Sequence, residues 1–281
     1  MKVLVTGANG QLGYDVIKRL NALGDEPVGA DRKEFDITES KATEDYITAL
    51  RPDAVVHCAA YTAVDKAEDD RDTCRRVNVD GTRNIALACE KIGAKLVYIS
   101  SDYVFGGSGT KPLEINDPKD PQNIYGITKL GGETEATKCK KYFIVRTSWV
   151  FGINGGNFVK TMLRLADSHD KLTVVDDQTG SPTYTPDLAR LICDMIKTEK
   201  YGTYHASNEG YCTWAEFAKE IMRQVGKTTE IVPCTTAEYP AKAKRPENSR
   251  LSKKCLDDAG FDRLPPWQDA LARFLKELDL V

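Results

Sequence analysis

The chain has 281 residues, with 39 basic against 42 acidic side chains for a net charge of −3, 41% hydrophobic and 29% charged. That is globular composition at a length that buries a sizeable core, and the slight acidity without any Lys/Arg run excludes a nucleic-acid stripe or a polybasic membrane patch. No segment approaches the ~18 apolar residues of a membrane span. The opening Met1-Lys2-Val3-Leu4-Val5 lacks a charged n-region ahead of an apolar stretch, so a cytoplasmic protein is expected.

In chain order, short β-rich apolar runs alternate with amphipathic stretches. Strands are predicted over 2–6, 27–30, 54–58, 96–101 and 142–146, and helices over 11–23, 39–50 with Thr38 as N-cap, 72–91 and 124–137. Five such alternations predict an α/β fold, a doubly wound parallel sheet of Rossmann type. Beyond Arg146 the rhythm loosens, with Gly, Pro and Asn punctuation at 152–157, 180–182 and 244–248 among helices near 158–168, 186–197, 214–225 and 267–278. The expected division is a dinucleotide-binding domain over 1–146 and a smaller mixed α/β, mainly substrate-binding domain over 147–281. A segment near 170–197 returns to the first, with Leu172–Val175 as a candidate further strand of the large sheet. Eight cysteines form no Cys-x-x-Cys pair and no cluster with His57, His169 or His205, so reduced thiols are expected rather than a zinc site or a disulfide framework.

The first strand runs into Gly7-Ala8-Asn9-Gly10-Gln11-Leu12-Gly13 and then a helix. Glycines there allow a tight turn and let backbone N–H groups reach a pyrophosphate at the helix N-terminus. The G-x-x-G-x-x-G spacing is that of extended short-chain dehydrogenases. Asp31, after the second strand, suits free ribose hydroxyls and hence NAD, whereas Arg32 and Lys33 suit a 2′-phosphate and hence NADP.

Tyr125 and Lys129 stand four apart on one helix face, where an ammonium is expected to lower the phenol pKa from ~10 and a phenol can protonate a developing alkoxide. Tyr14 and Lys18 share that spacing, but in the helix after the glycine loop, where a structural role is expected. Tyr125 follows a strand ending Ser100-Ser101-Asp102, and ligands of open α/β sheets bind at strand carboxyl ends, so Ser101 and Tyr125 are expected to converge on one carbonyl oxygen. Arg245 and Arg250, in a Pro/Asn-punctuated loop, are candidates to clamp a diphosphate, with surface salt bridging as the alternative. Trp214 and Phe217 read as core anchors, His57 as a structural histidine and Asp65–Asp70 as a solvated helix face.

GANGQLG, AAYTAVDKAED (59–69), SSDYVF, YGITKLGGE (125–133), RTSWVFG with NFVKTML (146–163) and RPENSRL (245–251) occur in an order that resembles the dTDP-4-dehydrorhamnose reductase family of extended short-chain dehydrogenases. The resemblance covers nearly the whole chain. It implies reduction of the 4-keto group of dTDP-4-dehydro-L-rhamnose to dTDP-L-rhamnose for cell-surface polysaccharide, by NADPH or NADH. Ser101, Tyr125 and Lys129 match the family's catalytic triad, with Lys129 also on the nicotinamide ribose. Asp36, Ile37, Ala59, Ala60, Tyr61 and Thr62 match cofactor contacts, joining Gly7, Gly10, Gln11, Leu12, Gly13, Asp31 and Arg32. Trp149 matches the sugar-facing tryptophan, and Asp102, Asn157, Arg245 and Arg250 complete the substrate set with Ser101. Some members of the family form a homodimer through a magnesium ion held by glutamates; this chain has the shorter Asp15 and Asp187, so no metal ligand is assigned. Two alternatives share the motifs. A 4,6-dehydratase or 4-epimerase has the same glycine loop, but the dehydratase Asp-Glu pair is here Asp102-Tyr103. A nucleotide-binding regulatory subunit like that of methionine adenosyltransferase would not need Ser101, Tyr125 and Lys129 intact.

Overall fold

Leu4, Val55 and Leu96 pack into one apolar cluster while Val3, Val5, Val56 and Val97 pack into another, and all are fully buried. Strands apolar on both faces belong inside a sheet covered on both sides. The computed structural model, which describes residues 1–239 and 241–281, has that form. Its first half runs β1 (Lys2–Thr6), α1 (Gln11–Ala22), β2 (Glu26–Ala30), α2 (Ser40–Leu50), β3 (Ala54–His57), α3 (Val64–Ala67), α4 (Arg71–Arg75), α5 (Thr82–Ile92), β4 (Lys95–Ser101), α6 (Ile124–Ala136) and β5 (Tyr142–Thr147). Its second half runs β6 (Val150–Phe151), α7 (Phe158–Ala166), β7 (Lys171–Val175), β8 (Thr179–Gly180), β9 (Thr183–Tyr184), α8 (Thr185–Ile196), β10 (Gly202–His205), β11 (Cys212–Thr213), α9 (Trp214–Gln224), β12 (Glu230–Cys234), α10 (Lys254–Ala259) and α11 (Trp267–Glu277). The large sheet is parallel throughout, in the order β10-β5-β4-β3-β1-β2. Its order reverses at β1/β3, which is where a crevice opens in doubly wound sheets.

α1 and α8 cover one face through Leu12, Val16, Leu20, Leu188, Leu191 and Ile192, while α2 and α5 cover the other through Ile47, Ile85 and Cys89. A separate core of Phe151, Val159, Phe217, Trp267 and Phe274 holds the second half together. Leu172–Val175 does not enter the large sheet. β7 pairs with β12, because only Leu172 and Val174 are buried while Lys171 and Thr173 are exposed, a strand with one dry face. The sixth strand of the large sheet is β10, on the free edge of β5. Thr38 does not cap α2; its N–H and hydroxyl donate to Asp36 Oδ1 at 2.9 and 2.8 Å, and Glu39 takes the cap position. The helix expected over 72–91 contains a π-helical segment, Arg76–Gly81, between α4 and α5.

α6 is locked to the sheet by charge. Arg146 Nε and Nη2 each donate to Glu133 at 2.7 Å, Ser100 donates to the same carboxylate at 2.6 Å, and Arg146 Nη1 lies 3.3 Å from His205 Nε2. Arg146 and Glu133 are 3% and 6% exposed. Arg146→Met leaves a buried carboxylate without its cation and is expected to lower unfolding free energy by roughly 3–5 kcal/mol in a denaturant titration, most of which the double variant Arg146→Met/Glu133→Leu should restore.

Candidate active site

The turn after β1 is built by close backbone approach. Gly7 has φ 67°, and Gly10 N–H donates to Gly7 O at 2.9 Å. A Cβ on Gly7 would lie 2.7 Å from Ala59 N, and one on Gly13 would lie 2.2 Å from Gly7 O, so neither position accepts a side chain. Gly10 caps α1 without a side-chain bond, leaving the first N–H groups of the helix for a ligand. This cradle opens into a cleft of about 1010 Å3. Gly7, Gly10, Gln11, Leu12, Gly13, Asp31, Arg32, Asp36, Ile37, Ala59, Ala60 and Thr62 line it from the first three β/α junctions. Ser101, Asp102, Tyr125 and Lys129 line it from β4 and α6, and Trp149 from the second half.

Asn123 starts α6, its side chain accepting from Gly126 N–H at 2.8 Å, so Tyr125 sits in the first turn and Lys129 one turn on. Lys129 is 2% exposed, its ammonium 4.2 Å from the Tyr98 ring centroid. Burial pulls it down to about 7, with Glu133 acting the other way. The same burial pushes the Tyr125 phenol up, which the Ser101 hydroxyl only partly offsets. The expected lowering of the phenol pKa is therefore not found: burial is the largest influence on Tyr125 and raises it. Ser101 Oγ donates to Asp102 Oδ1 at 2.8 Å and accepts from Tyr103 N–H at 3.2 Å. Burial pushes the Asp102 carboxyl up to about 6, and its Oδ2 has no hydrogen-bond partner among the described residues.

Four expected contacts lie off the cleft wall. Tyr61 sends its hydroxyl to Asp70 at 3.3 Å, while its backbone N–H and C=O are held by Asn78 at 2.8 and 3.1 Å. Asn157 is saturated: it caps α7 and donates to Gln11 Oε1 at 3.1 Å and Gly152 O at 2.9 Å. Arg245 forms a two-pronged pair with Asp65 at 3.1 and 2.6 Å, which is the salt bridge given as the alternative to a diphosphate clamp. Arg250 Nη1 donates to Asn248 Oδ1 at 2.9 Å. Conversely, Thr6, Phe35, Arg76 and Ser148 line the cleft without having stood out in the sequence, and so do Thr38 and Trp214, which were read there as an N-cap and a core anchor. Trp214 thus packs against the core and also forms part of the cleft wall, whereas Phe217 is in the core at 1% exposure. Arg76, the first residue of the π segment, donates to Thr38 Oγ1 at 3.4 Å, a contact with no local signal in the sequence. His57 is 1% exposed between Thr6 and Thr82 at 2.7 and 3.3 Å, and burial lowers it to about 3, so it stays neutral.

Magnesium does not fit the two aspartates. Asp15 is 2% exposed and accepts from Thr185 at 2.5 Å; Asp187 is 7% exposed and has both oxygens on Arg273 at 2.8 and 2.7 Å. Both carboxylates are thus buried and engaged within the chain. Among the described residues no helix is long and apolar enough to cross a membrane.

The parallel sheet, the glycine cradle at its switch point and the second-half wall define a dinucleotide-binding α/β protein of the extended short-chain dehydrogenase class. Residues 1–280 match the family described as RmlD substrate binding domain, and the chain belongs to that family. It is 44% identical to the Spore coat polysaccharide biosynthesis protein SpsK of Bacillus subtilis, over 98% of this chain and 97% of that one. It is 39% identical to the dTDP-4-dehydrorhamnose reductase of Streptomyces griseus, over 95% and 91%. Among solved structures, a Bacillus anthracis dTDP-4-dehydrorhamnose reductase in complex with NADP superposes with TM-score 0.96 at 44% identity, over 98% of this chain and 99% of that one.

Asn78, inside the π segment, also donates to Thr128 Oγ1 at 3.0 Å and so ties the Ala59–Thr62 loop to α6. Asn78→Leu strands these polar groups and is expected to cost about 2 kcal/mol in denaturant unfolding, with weaker NADPH binding by fluorescence titration.

Proposed function

We propose that the chain reduces the 4-keto group of dTDP-4-dehydro-L-rhamnose to dTDP-L-rhamnose in the cytoplasm, with NADPH, and with NADH as an alternative. The observation that carries this reading is the row of Ser101, Tyr125 and Lys129 on the wall of a cleft that the glycine cradle opens. The relatives named dTDP-4-dehydrorhamnose reductase support the substrate, and the NADP complex of the Bacillus anthracis enzyme supports the cofactor. The α1 N-terminus takes the diphosphate. The Asp31 carboxylate, which accepts from Asn9 N–H at 3.1 Å, suits a free ribose; Arg32, now paired with Asp36 at 3.2 Å, suits a 2′-phosphate.

When bound, the cofactor supplies a hydride to the sugar C4. Tyr125 donates its phenolic proton to the former carbonyl oxygen. A phenol held above its ordinary pKa is fully protonated at neutral pH, and a developing alkoxide is the stronger base, so the transfer runs downhill. Ser101 swings its hydroxyl from Asp102 to the ketone oxygen, a bond that strengthens as charge builds. Lys129 holds the ribose of the cofactor as an ammonium. Ser101, Asp102 and Trp149 face the sugar.

Steady-state oxidation of NADPH with the dTDP-keto sugar tests the reading, since an epimerase or dehydratase consumes no cofactor. Tyr125→Phe should retain cofactor binding while kcat falls roughly 10²- to 10⁴-fold. Lys129→Met should impair both, and Tyr14→Phe neither; a Tyr125→Phe enzyme with wild-type kcat sinks the assignment. Lys129 is protonated below its pKa of about 7 and neutral above it, so kcat/KM should fall as pH rises through about 7. Glu133 favours the ammonium, and Glu133→Gln is expected to move that fall to lower pH in the kcat/KM profile.

A further inference from the structure

Trp149 occupies its place in the cleft wall against several penalties. Its backbone is left-handed, φ 50°, a conformation that bulky residues avoid. Its indole lies on that of Trp214 with centroids 3.7 Å apart and planes at 13°, a nearly superposed sandwich where aromatic quadrupoles favour offset or edge-on contact. Gly180 approaches so closely that a methyl there would lie 2.8 Å from Trp149 Cε2. Both indoles are only partly buried: each packs one side against the second-half core and turns the other to the cleft.

The support under the stack is rigid. Trp214 is the first residue of α9, behind a reciprocal capping box of Thr213 and Glu216. Phe158 is the first residue of α7, behind the Asn157 cap, and its ring is 4.6 Å from Trp214 and 5.6 Å from Phe217 in the core. Two capped helix starts thus carry the position of the core out to Trp149. Strain that the surroundings enforce at a ligand-facing residue marks a constraint of function.

We infer that Trp214 is a positioning residue for the sugar end of the cleft, holding the Trp149 indole at one depth through the stack while Gly180 leaves the clearance for it. The inference deepens the proposed reaction and rests on it, because Trp149 is taken to face the sugar. Trp214 itself need not touch substrate.

The test perturbs Trp149 in the full-length enzyme from two sides. Trp214→Ala removes the supporting ring, and Gly180→Ala pushes a methyl against Trp149 without altering Trp214. Stacked indoles couple their transitions and give a far-ultraviolet exciton couplet in circular dichroism. Both variants are expected to lose the couplet and to raise KM for the dTDP-keto sugar roughly 3- to 10-fold with KM for NADPH unchanged. Trp214→Phe, which restores a planar face, should return the sugar KM to within about twofold of wild type. Should Trp214→Ala not fold, Gly180→Ala and Trp214→Phe carry the comparison. The inference is overturned if Gly180→Ala loses the couplet yet keeps the wild-type sugar KM, or if sugar and cofactor KM rise in parallel as general loosening would make them. A wild-type enzyme with the couplet but no turnover of the keto sugar refutes the proposed reaction instead, and the inference with it.

Discussion

Glu133 is buried on the third turn of α6 with its carboxylate gripped by Arg146, and this one ion pair sets the rotation of the helix that carries Tyr125 and Lys129. Tyr125, Lys129 and Glu133 fall at successive four-residue steps, so they form one column down the helix. Fixing the lowest member fixes the other two. The pair is itself held at both ends: Ser100, next to Ser101, donates to Glu133, and Arg146 continues to Ile115 O at 2.9 Å. Packing completes the constraint, since a Cβ on Gly132 would lie 2.1 Å from the Tyr98 hydroxyl and 2.6 Å from Asn78 O. The helix can therefore neither turn nor slide without breaking a buried charge pair or a backbone contact.

The two halves are joined where a ligand would bridge them. Asn154 donates to Asn9 O at 2.6 Å and Asn157 to Gln11, so side chains from the second half grip the glycine turn of the first. On the opposite flank Arg245 closes on Asp65, and Asn123 donates to Lys244 O at 2.7 Å. The second half also returns α8 and β10 to the large sheet. The glycine cradle and the Trp149 wall are in consequence tied together by direct contacts on both flanks.

What the sequence made legible follows from how local each signal is. The glycine cradle, the strands apolar on both faces and the Tyr125/Lys129 spacing are short-range patterns, and each appears in the structure within a residue or two of its expected limits. Leu172–Val175 misled because an apolar run does not say which partner covers it; only the exposed Lys171 and Thr173 show that one face stays wet. Arg245 and Asn157 look like ligand-binding residues until their partners, distant in sequence, are seen to occupy them. Trp214 has the spacing of a core anchor, and only tertiary packing against Trp149 brings it to the cleft. The phenol's pKa needed knowledge of water exclusion, which spacing does not contain.

His57 stands at the carboxyl end of the central strand β3, neutral and dry, and His205 on the edge strand is likewise lowered by burial to about 3. Unfolded, each would take a proton near its ordinary 6.5. The unfolded chain then binds more protons than the folded one between about 6.5 and 3, so the contribution of these two rings to stability is constant above that window and declines as pH falls through it. Acid acts on this molecule from within: the sheet that aligns the cradle with the column of Tyr125, Lys129 and Glu133 also carries, in its own interior, two sites at which unfolding draws protons out of solution.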